Sequence, residues 1–233
     1  MNLIYAYYEN GTMLDRQVQE WGNYSDSAKS QLQIHIVDDG SQNDPALGHL
    51  KPVGFPIHLY RVKQNLIWNQ TGARNLAMHN APEDWSLMMD MDCLLTVENA
   101  DKVLAMPKTS RRFYMPDATN YKGEKGRQHP NVILVQRSIF WESGGYDEDF
   151  QGWYGSDSPF KKALQQVARR VDTSVFSIQR VSRDDIPDAS TREWGRKGTE
   201  YHSMGNPVLR AKRKQVYKAE NHLRFEWEKV CVI

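Results

Sequence analysis

Two pairs of aspartates in this chain have the residue type and spacing for metal or phosphate chemistry. Asp90 and Asp92 stand one residue apart directly after the apolar run 85–89, and Asp38 and Asp39 follow a second apolar run. Carboxylate oxygens are hard ligands that suit Mg²⁺ or Mn²⁺, and such ions are usually shared with substrate phosphates. If both runs are strands of one α/β sheet, the two acidic ends meet at its carboxyl edge, where nucleotide diphosphates bind.

Size and composition favour an ordinary globular protein. The chain has 233 residues, enough for one large domain that is stable without disulfide bonds or structural metal ions. Its net charge of +1 does not indicate a nucleic-acid binder. Its two cysteines, Cys93 and Cys231, have a spacing that suggests neither a zinc site nor a disulfide framework. The amino terminus lacks a basic leader, and no apolar run approaches the roughly 20 residues that cross a bilayer. The sequence therefore predicts a soluble, cytoplasmic protein.

The first half of the chain alternates between strand-like and helix-like hydrophobic periods. The predicted strands are residues 3–8, 31–37, 57–62 and 85–89, and the predicted helices are residues 14–21 and 71–80. Strands that alternate with helices favour a parallel or mostly parallel sheet with helices packed on it.

The second half is less regular. Residues 111–130 are rich in Gly, Lys, Arg and Tyr without periodicity, and we expect a mobile surface segment that orders over bound substrate. Further strands are predicted at 132–135 and 175–181, and further helices at 137–142, 157–171 and 207–230. In this interpretation a domain over 1–205 precedes a basic amphipathic helix in 206–233. That helix is either a solvated face or a contact with a membrane surface or a partner.

Four motifs in a fixed order carry a resemblance to a known family. They are Val-Asp-Asp-Gly-Ser at 37–41, Gly-Ala-Arg-Asn at 72–75, Met-Asp-Met-Asp at 89–92 and Gly-Gly-Tyr-Asp-Glu-Asp-Phe-Gln-Gly-Trp at 144–153. Together they resemble family 2 glycosyltransferases, and the last resembles galactosyl- and N-acetylgalactosaminyltransferase-like members. The resemblance implies an α/β fold of the GT-A (nucleotide-diphospho-sugar transferase) type, a single domain whose mostly parallel central sheet is flanked by helices.

The resemblance assigns roles to the residues that contact the nucleotide. Asp38 or Asp39 would contact uracil, and the sequence leaves the choice between them open. Arg74 matches a family arginine near the base, and Asp90 would face the ribose. These residues imply a UDP-sugar as the donor.

A divalent cation, Mn²⁺ or Mg²⁺, is also implied. In the family, the residue that matches Asp92 ligates the cation together with the diphosphate, and a late histidine often completes the site; His202 is the candidate here. The chemistry agrees with this assignment, because a cation that bridges two phosphates stabilises the departing diphosphate without a proton donor.

The acceptor side departs from the family pattern. The family's Glu-Asp pair falls on Ser156 and Asp157, so the aspartate is present and the glutamate is replaced. Asp157, at a predicted helix start, is the candidate general base for the acceptor hydroxyl. Trp153, Gly145 and Ser156 are the candidate sugar or acceptor contacts, with the Trp153 ring suited to stacking on a sugar face. Tyr154 replaces a family glycine and alters the shape of this pocket.

The residues and the resemblance together predict a metal-dependent, inverting glycosyltransferase. The expected donor is UDP-galactose or UDP-N-acetylgalactosamine, and the expected acceptor is a hydroxyl of a saccharide or glycoconjugate. One base without an obvious enzyme nucleophile favours direct attack and inversion. Two alternatives stay open. The loss of glutamate at Ser156 keeps a non-catalytic sugar-nucleotide or glycan-binding module under consideration, and the acidic sheet is shared with sugar nucleotidyltransferases, although residues 5–12 lack the basic phosphate loop.

Overall fold

The computed structural model describes residues 1–120, 122–187 and 203–233, which build a central sheet flanked by helices. Its strands in this part of the chain are β1 (Asn2–Tyr7), β2 (Gln33–Asp38), β3 (Ile57–Val62), β4 (Trp85–Met89), β5 (Cys93–Leu94), β6 (Arg112–Thr119), β7 (Lys125–Gly126), β8 (Ile133–Gln136), β9 (Arg169–Arg180) and β10 (Trp227–Val232).

The described helices lie between these strands and cover the sheet. They are α1 (Gly11–Gly22), α2 (Asp26–Lys29), α3 (Gln70–Asn80), α4 (Val97–Ala105), α5 (Arg137–Glu142), α6 (Asp157–Val167) and α7 (Pro207–Lys214), with 3-10 turns at Ala46–Gly48 and Glu148–Phe150. None of these helices combines the length and the apolar character that a membrane span requires.

The sheet is mixed, with a parallel half that positions the acidic strand ends. Its strand order is β10-β3-β2-β1-β4-β8-β6-β9-β5, and β7 pairs with β6. Strands β3, β2, β1 and β4 are parallel to their neighbours in that run. Strand β8 is antiparallel to both β4 and β6, and β10 is antiparallel to β3. The carboxyl ends of β2 and β4 therefore meet at one edge, as the sequence predicts, while the second half of the sheet is antiparallel in part.

Both faces of the sheet are buried, which explains the continuous apolar runs of the parallel strands. Alternate residues of β1 point to opposite faces: Leu3 and Tyr5 enter one apolar cluster, and Ile4 enters the other. Trp21 of α1 packs into the first cluster, and Leu76 of α3 packs into the second. Full burial of one such aliphatic side chain stabilises the fold by about 1.5–3 kcal/mol, so both layers hold the strands in register.

The first part of the segment 111–130 is not the mobile surface segment that its composition suggested. Arg112–Thr119 form β6 in the interior of the sheet between β8 and β9, and Phe113 and Ala118 are fully buried. The ladder between β6 and β9 shifts register after Pro116, a residue that has no N–H to donate. The proline and the charged neighbours obscured a buried strand, and the first part of this segment is a framework rather than a lid.

The C-terminal region is not one amphipathic helix. Helix α7 begins after Asn206, whose side chain accepts two backbone N–H bonds, and has Pro207 in its first turn. The helix ends at Lys214, and Trp227–Val232 form the edge strand β10 against β3. Aromatic and β-branched residues in this run favour a strand, and β3 offers an edge to pair with. Residues 206–233 are therefore part of the same sheet and its covering layer.

Candidate functional site

A cavity of about 260 Å³ opens at the carboxyl edge of the parallel strands. Four carboxylates from three segments line it: Asp39 after β2, Asp90 and Asp92 after β4, and Asp157 at the start of α6. The fold thus brings together residues that lie more than a hundred positions apart in the chain. Such an edge is where open α/β sheets bind ligands.

The first acidic pair divides into a structural and a cavity-facing residue. The carboxylate of Asp38 accepts hydrogen bonds from the backbone N–H groups of Ser41 and Ala46, both at 2.9 Å, so it shapes the loop. Asp39 lines the cavity and accepts a hydrogen bond of 3.0 Å from the Asn69 amide. Burial raises the pKa of Asp38 and raises that of Asp39 well above its ordinary value. The choice that the sequence left open therefore falls on Asp39 as the cavity residue.

Asp90 is held by side chains from two other segments, helix α3 and the loop before β8. Gln70 Nε2 donates to its Oδ1 at 2.8 Å, and Arg74 also bonds Oδ1. On Oδ2, Asn131 Nδ2 donates at 2.9 Å, and His129 Nε2 lies 3.7 Å away. Burial acts to raise the pKa of Asp90, but the charges of Arg74 and His129 outweigh it and hold that pKa below its ordinary value. The carboxylate is therefore fixed in place as an anion.

Arg74 and Gly145 stand behind the cavity wall rather than in it. Arg74 is 2% exposed, donates to the Tyr146 hydroxyl at 3.1 Å and lies 5.2 Å over the Tyr146 ring. Gly145 has φ +63°, and a Cβ there would lie 3.0 Å from Asn75 Oδ1. Its turn sets Tyr146 against Arg74, which in turn anchors Asp90. Neither Arg74 nor Gly145 is among the residues that line the cavity, and the base contact expected of Arg74 and the sugar contact expected of Gly145 stay predictions.

Asp92 faces the cavity with its side chain 16% exposed, and Arg183 Nε lies 3.7 Å from its Oδ2. His202, the predicted second metal ligand, lies outside the described residues. Instead, donor atoms of Asp92, Cys93 and His129 lie within 4.8 Å of one another. A carboxylate and an imidazole suit Mn²⁺, whereas the Cys93 thiol is a soft ligand that suits neither Mn²⁺ nor Mg²⁺. The oxygen and nitrogen donors therefore fit the implied cation.

Sequence reasoning missed His129 for a definable reason. It lies in a segment that the composition marked as mobile surface, and a lone histidine is more often a surface residue than a ligand. In the structure His129 is 6% exposed and lines the cavity together with Asn131. The signal that could have revealed it is its position just before the buried strand β8, which pairs with the strand that delivers Asp90.

On the acceptor side, Ser156 and Asp157 both line the cavity at the amino terminus of α6. Lys161, one turn along the helix, places its Nζ 3.1 Å from Asp157 Oδ2. The Ser156 side chain makes no capping hydrogen bond to the helix. The amino terminus of α6 and the Lys161 ammonium group therefore both place positive charge beside the Asp157 carboxylate.

Aromatic side chains form the wall beside these carboxylates. Trp68, Trp153 and Tyr154 all line the cavity, and the rings of Trp68 and Tyr154 are 4.7 Å apart. Trp68 has φ +47°, an uncommon conformation for a bulky residue that persists only where the surroundings enforce it. Its carbonyl accepts a hydrogen bond of 3.2 Å from the Gly152 N–H. The sequence pointed to Trp153, and the fold adds Trp68 as a second flat apolar surface suited to a sugar ring.

Comparisons with known proteins agree with this architecture. S. aureus TarS (residues 1–349) has a TM-score of 0.60 at 13% identity and covers 79% of this chain. GalNAc-T7 with UDP, GalNAc and Mn²⁺ has a TM-score of 0.58 at 15% identity and covers 78%. Mannosyltransferase PcManGT from Pyrobaculum calidifontis, with GDP-Man and Mn²⁺, has a TM-score of 0.62 at 15% identity and covers 94%.

These structures are longer than the chain described here. The match spans 61% of the TarS chain, 43% of the GalNAc-T7 chain and 65% of the PcManGT chain. Comparison with curated protein sequences finds no match. At these identities the likeness establishes the fold, which confirms the GT-A prediction. The sequence model of glycosyl transferase family 2 matches residues 23–172, more than half of the chain, so this protein belongs to glycosyl transferase family 2.

Proposed function

We propose that this protein transfers a sugar from a nucleoside-diphosphate sugar to a hydroxyl acceptor, with a divalent cation and with inversion at the anomeric carbon. The observation that carries the proposal is the convergence of Asp39, Asp90, Asp92 and Asp157 on one cavity at the carboxyl edge of the sheet. Family membership supports glycosyl transfer as the reaction class.

For the donor, Asp39 and Asp90 provide two hydrogen-bonding points of different character. Asp39, oriented by Asn69, offers the base a carboxyl group whose pKa is raised by burial. Asp90, fixed by Arg74, offers the ribose hydroxyls a charged acceptor. This pairing supports a UDP-sugar, with UDP-galactose or UDP-N-acetylgalactosamine favoured by the motif at 144–153. Since TarS is known with UDP-GlcNAc and PcManGT with GDP-Man, UDP-GlcNAc and GDP-sugars are the competing donors.

The cation, Mn²⁺ or Mg²⁺, acts as a Lewis acid that stabilises the departing diphosphate when it is bound. Asp92 and His129 are the described residues that would hold it, and His202 stays a predicted ligand. Arg183, which lies beside Asp92 in the cavity, adds a positive charge for the phosphate oxygens. Charge-assisted hydrogen bonds of a guanidinium to phosphate are among the stronger polar contacts.

Asp157 is the proposed general base on the acceptor side. Its carboxylate accepts the proton of the acceptor hydroxyl while that oxygen bonds to the anomeric carbon. The bond from this carbon to the diphosphate breaks, and its electron pair leaves with the diphosphate. Trp68 and Trp153 present flat faces on which the sugar rings stack. Direct attack opposite the leaving group inverts the anomeric configuration.

The test is a donor screen with the full chain. Each UDP- and GDP-sugar is incubated with Mn²⁺, Mg²⁺ or a chelator, with and without saccharide acceptors, and release of the nucleoside diphosphate is measured. We expect cation-dependent release from a UDP-sugar and an inverted product by proton NMR. Tight donor binding without release, a retained configuration or release of pyrophosphate would each overturn the proposal.

A further inference from the structure

We infer that Asp92, Cys93 and His129 form a binding site for a thiophilic divalent cation of the Zn²⁺ class, which inhibits the enzyme by occupying Asp92. The inhibition rests on the proposed function, whereas the binding site rests only on the three side chains. Neither the cysteine nor this histidine is part of the Asp-x-Asp pattern that suggested a Mn²⁺ or Mg²⁺ site.

The three donor atoms are nearly in place for one ion. Cys93 Sγ lies 3.7 Å from Asp92 Oδ1, and all three donors lie within 4.8 Å of one another. Zinc bonds of about 2.3 Å to sulfur and about 2.1 Å to oxygen or nitrogen place tetrahedral ligands roughly 3.6 Å apart. The sulfur and oxygen donors already have about this spacing. The His129 nitrogen has to approach them by up to about 1.2 Å, the difference between 4.8 Å and about 3.6 Å.

The chemistry of the donors selects the ion. A thiolate is a soft ligand that prefers zinc and similar ions, while Mg²⁺ and Mn²⁺ prefer oxygen. For nitrogen and sulfur sites, Zn²⁺ also binds more tightly than Mn²⁺ in the general affinity order of divalent metals. Two of the three ligands, Asp92 and His129, line the cavity. Three protein ligands with an open fourth position are the common arrangement of accessible zinc sites. Cys93 therefore adds affinity for Zn²⁺ that it does not add for Mn²⁺.

Two of the three donors are shielded from solvent. Cys93 is fully buried and His129 is 6% exposed. When Zn²⁺ binds, the Cys93 thiol proton passes to solvent and the thiolate bonds to the metal. The divalent charge then compensates a cluster of acidic groups in a poorly solvated place.

The sequence misses this site because its cysteines, Cys93 and Cys231, are far apart and show no zinc-binding spacing. The third ligand comes from the segment before β8, which only the fold brings to Asp92. Cys231 lies in the edge strand β10 and provides a matched control, since it is the other cysteine of the chain.

The direct test uses Co²⁺ as a spectroscopic substitute for Zn²⁺ in the full chain without nucleotide. We expect one Co²⁺ per chain with a thiolate-to-cobalt charge-transfer band in the near ultraviolet, which Zn²⁺ abolishes. Cys231→Ser keeps the band, and Cys93→Ala loses it. If the Cys93→Ala protein fails to fold, His129→Gln serves as the second variant. Its affinity for Co²⁺ should fall by at least about tenfold. A wild-type protein without the band, or a Cys93→Ala protein that keeps it, would overturn the inference.

A second measurement separates this inference from the proposed function. Zn²⁺ is titrated into the Mn²⁺-dependent release assay, where Cys93→Ala should need at least about tenfold more Zn²⁺ for half inhibition. Cys231→Ser should behave as wild type. If the protein shows the cobalt band but releases no nucleoside diphosphate, the metal site stands and the transferase proposal is refuted. Release without the band, and without Zn²⁺ inhibition, refutes the metal site and leaves the transferase standing.

Discussion

The two acidic strand ends of this sheet look alike in sequence and differ in their surroundings. Asp38 is the last residue of β2 and Asp39 follows it, while Asp90 and Asp92 follow β4, each pair after a buried run. At the β2 end, the carboxylates accept hydrogen bonds from backbone N–H groups and from the neutral Asn69 amide. At the β4 end, by contrast, each carboxylate pairs with a guanidinium group: Asp90 with Arg74, and Asp92 with Arg183.

This difference in partners gives the two ends opposite electrostatic properties. Burial raises the pKa of Asp38 and of Asp39, whereas the nearby cations outweigh burial at Asp90 and lower its pKa. The β2 end is therefore built for hydrogen bonding and loop shape, and the β4 end for holding negative charge. The same residue type thus has its pKa raised at one strand end and lowered at the other, according to which neighbours the fold supplies.

Among the variants that test the difference between the two strand ends, Asp92→Asn should reduce nucleoside diphosphate release the most. Removing a ligand of the implied cation costs several kcal/mol of transition-state stabilisation, so nucleoside diphosphate release should fall about 10³-fold. Initial rates over a Mn²⁺ titration measure it. Asp117→Asn is the control, because that carboxylate pairs with Lys125 at 2.8 Å outside the cavity wall. Unchanged cation dependence in Asp92→Asn would remove the charge-holding role from the β4 end.

Asp157→Asn tests whether the acceptor proton is taken up by Asp157 alone, independently of nucleotide binding at the two strand ends. The amide keeps the shape of the side chain but cannot accept the hydroxyl proton, and we expect transfer to fall by at least about 10²-fold. Donor affinity, measured by calorimetry with the nucleoside diphosphate, should stay at the wild-type value. A loss of donor affinity equal to the loss of rate would instead assign Asp157 to nucleotide binding.

Arg74→Met tests the electrostatic difference between the two strand ends, because it removes the guanidinium group that pairs with Asp90. We expect a loss of activity of about 10–100-fold, the usual effect of a residue that orients a ligand or its neighbour. Burial then acts on Asp90 without its main counter-charge, so its pKa rises and the acid limb of the pH–rate profile moves to higher pH. Arg74→Lys should restore part of this shift. An acid limb that stays in place in Arg74→Met would show that Arg74 does not act through Asp90.

Asp38→Ala and Asp39→Asn should separate stability from binding at the β2 end. Asp38→Ala leaves the buried N–H groups of Ser41 and Ala46 without their acceptor, so the free energy of unfolding should fall by about 1–3 kcal/mol. Asp39→Asn should change stability less and weaken donor binding by roughly tenfold, about 1.4 kcal/mol. Urea unfolding and calorimetry measure the two quantities. The reverse pattern would exchange the roles of the two aspartates.

The last prediction concerns how the free energy of unfolding depends on pH through a histidine in β2, the strand that ends at Asp38. His35 in β2 is 1% exposed and stacks on His58 at 4.6 Å; burial, then the charges of His58 and Lys229, lower its pKa to about 3. The folded protein keeps His35 neutral, while the unfolded chain takes up a proton below about pH 6.5. The stability linked to His35 is therefore present above about pH 6.5 and declines as pH falls toward 3, by up to about 1.4 kcal/mol per pH unit.

Urea unfolding between pH 7 and pH 4 measures this decline, expected at up to about 1.4 kcal/mol per pH unit. His35→Leu, which fills the same buried position without a titrating ring, should flatten the slope of the unfolding free energy. Asp90 adds a loss of the same sign at lower pH, because its pKa is lowered in the folded state. A variant whose stability falls as steeply as that of the wild type would show that His35 is not the group that responds.

Much of the parallel half of the fold follows from local pattern. The predicted strands 57–62 and 85–89 have the bounds of β3 and β4, and the predicted helix 137–142 has those of α5. Runs buried on both faces leave a continuous apolar signal that needs no knowledge of the partner strands. The sequence therefore sufficed for the acidic strand ends and for the family resemblance.

The second half was harder to predict because its signals depend on distant partners. The predicted helix 157–171 ends at Val167, since the following residues pair with β6 as β9, which begins at Arg169 rather than at 175. The edge strand β10 exists because β3 offers backbone groups to pair with, although the two strands lie far apart in the chain. A stretch with helical periodicity can still form a strand where an unpaired sheet edge is available, and the local sequence does not show whether such an edge exists.

By itself the sequence determined that aspartates follow two buried strands and that a third acidic group begins a helix, since residue order and hydrophobic period are local properties. Only the tertiary structure decided that Asp39 rather than Asp38 reaches the cavity, that Arg74 anchors Asp90, and that His129 stands near Asp92. Side-chain direction, burial and charge partners depend on contacts between distant segments. Those contacts, rather than residue type, set which carboxylates are charged and what they can bind.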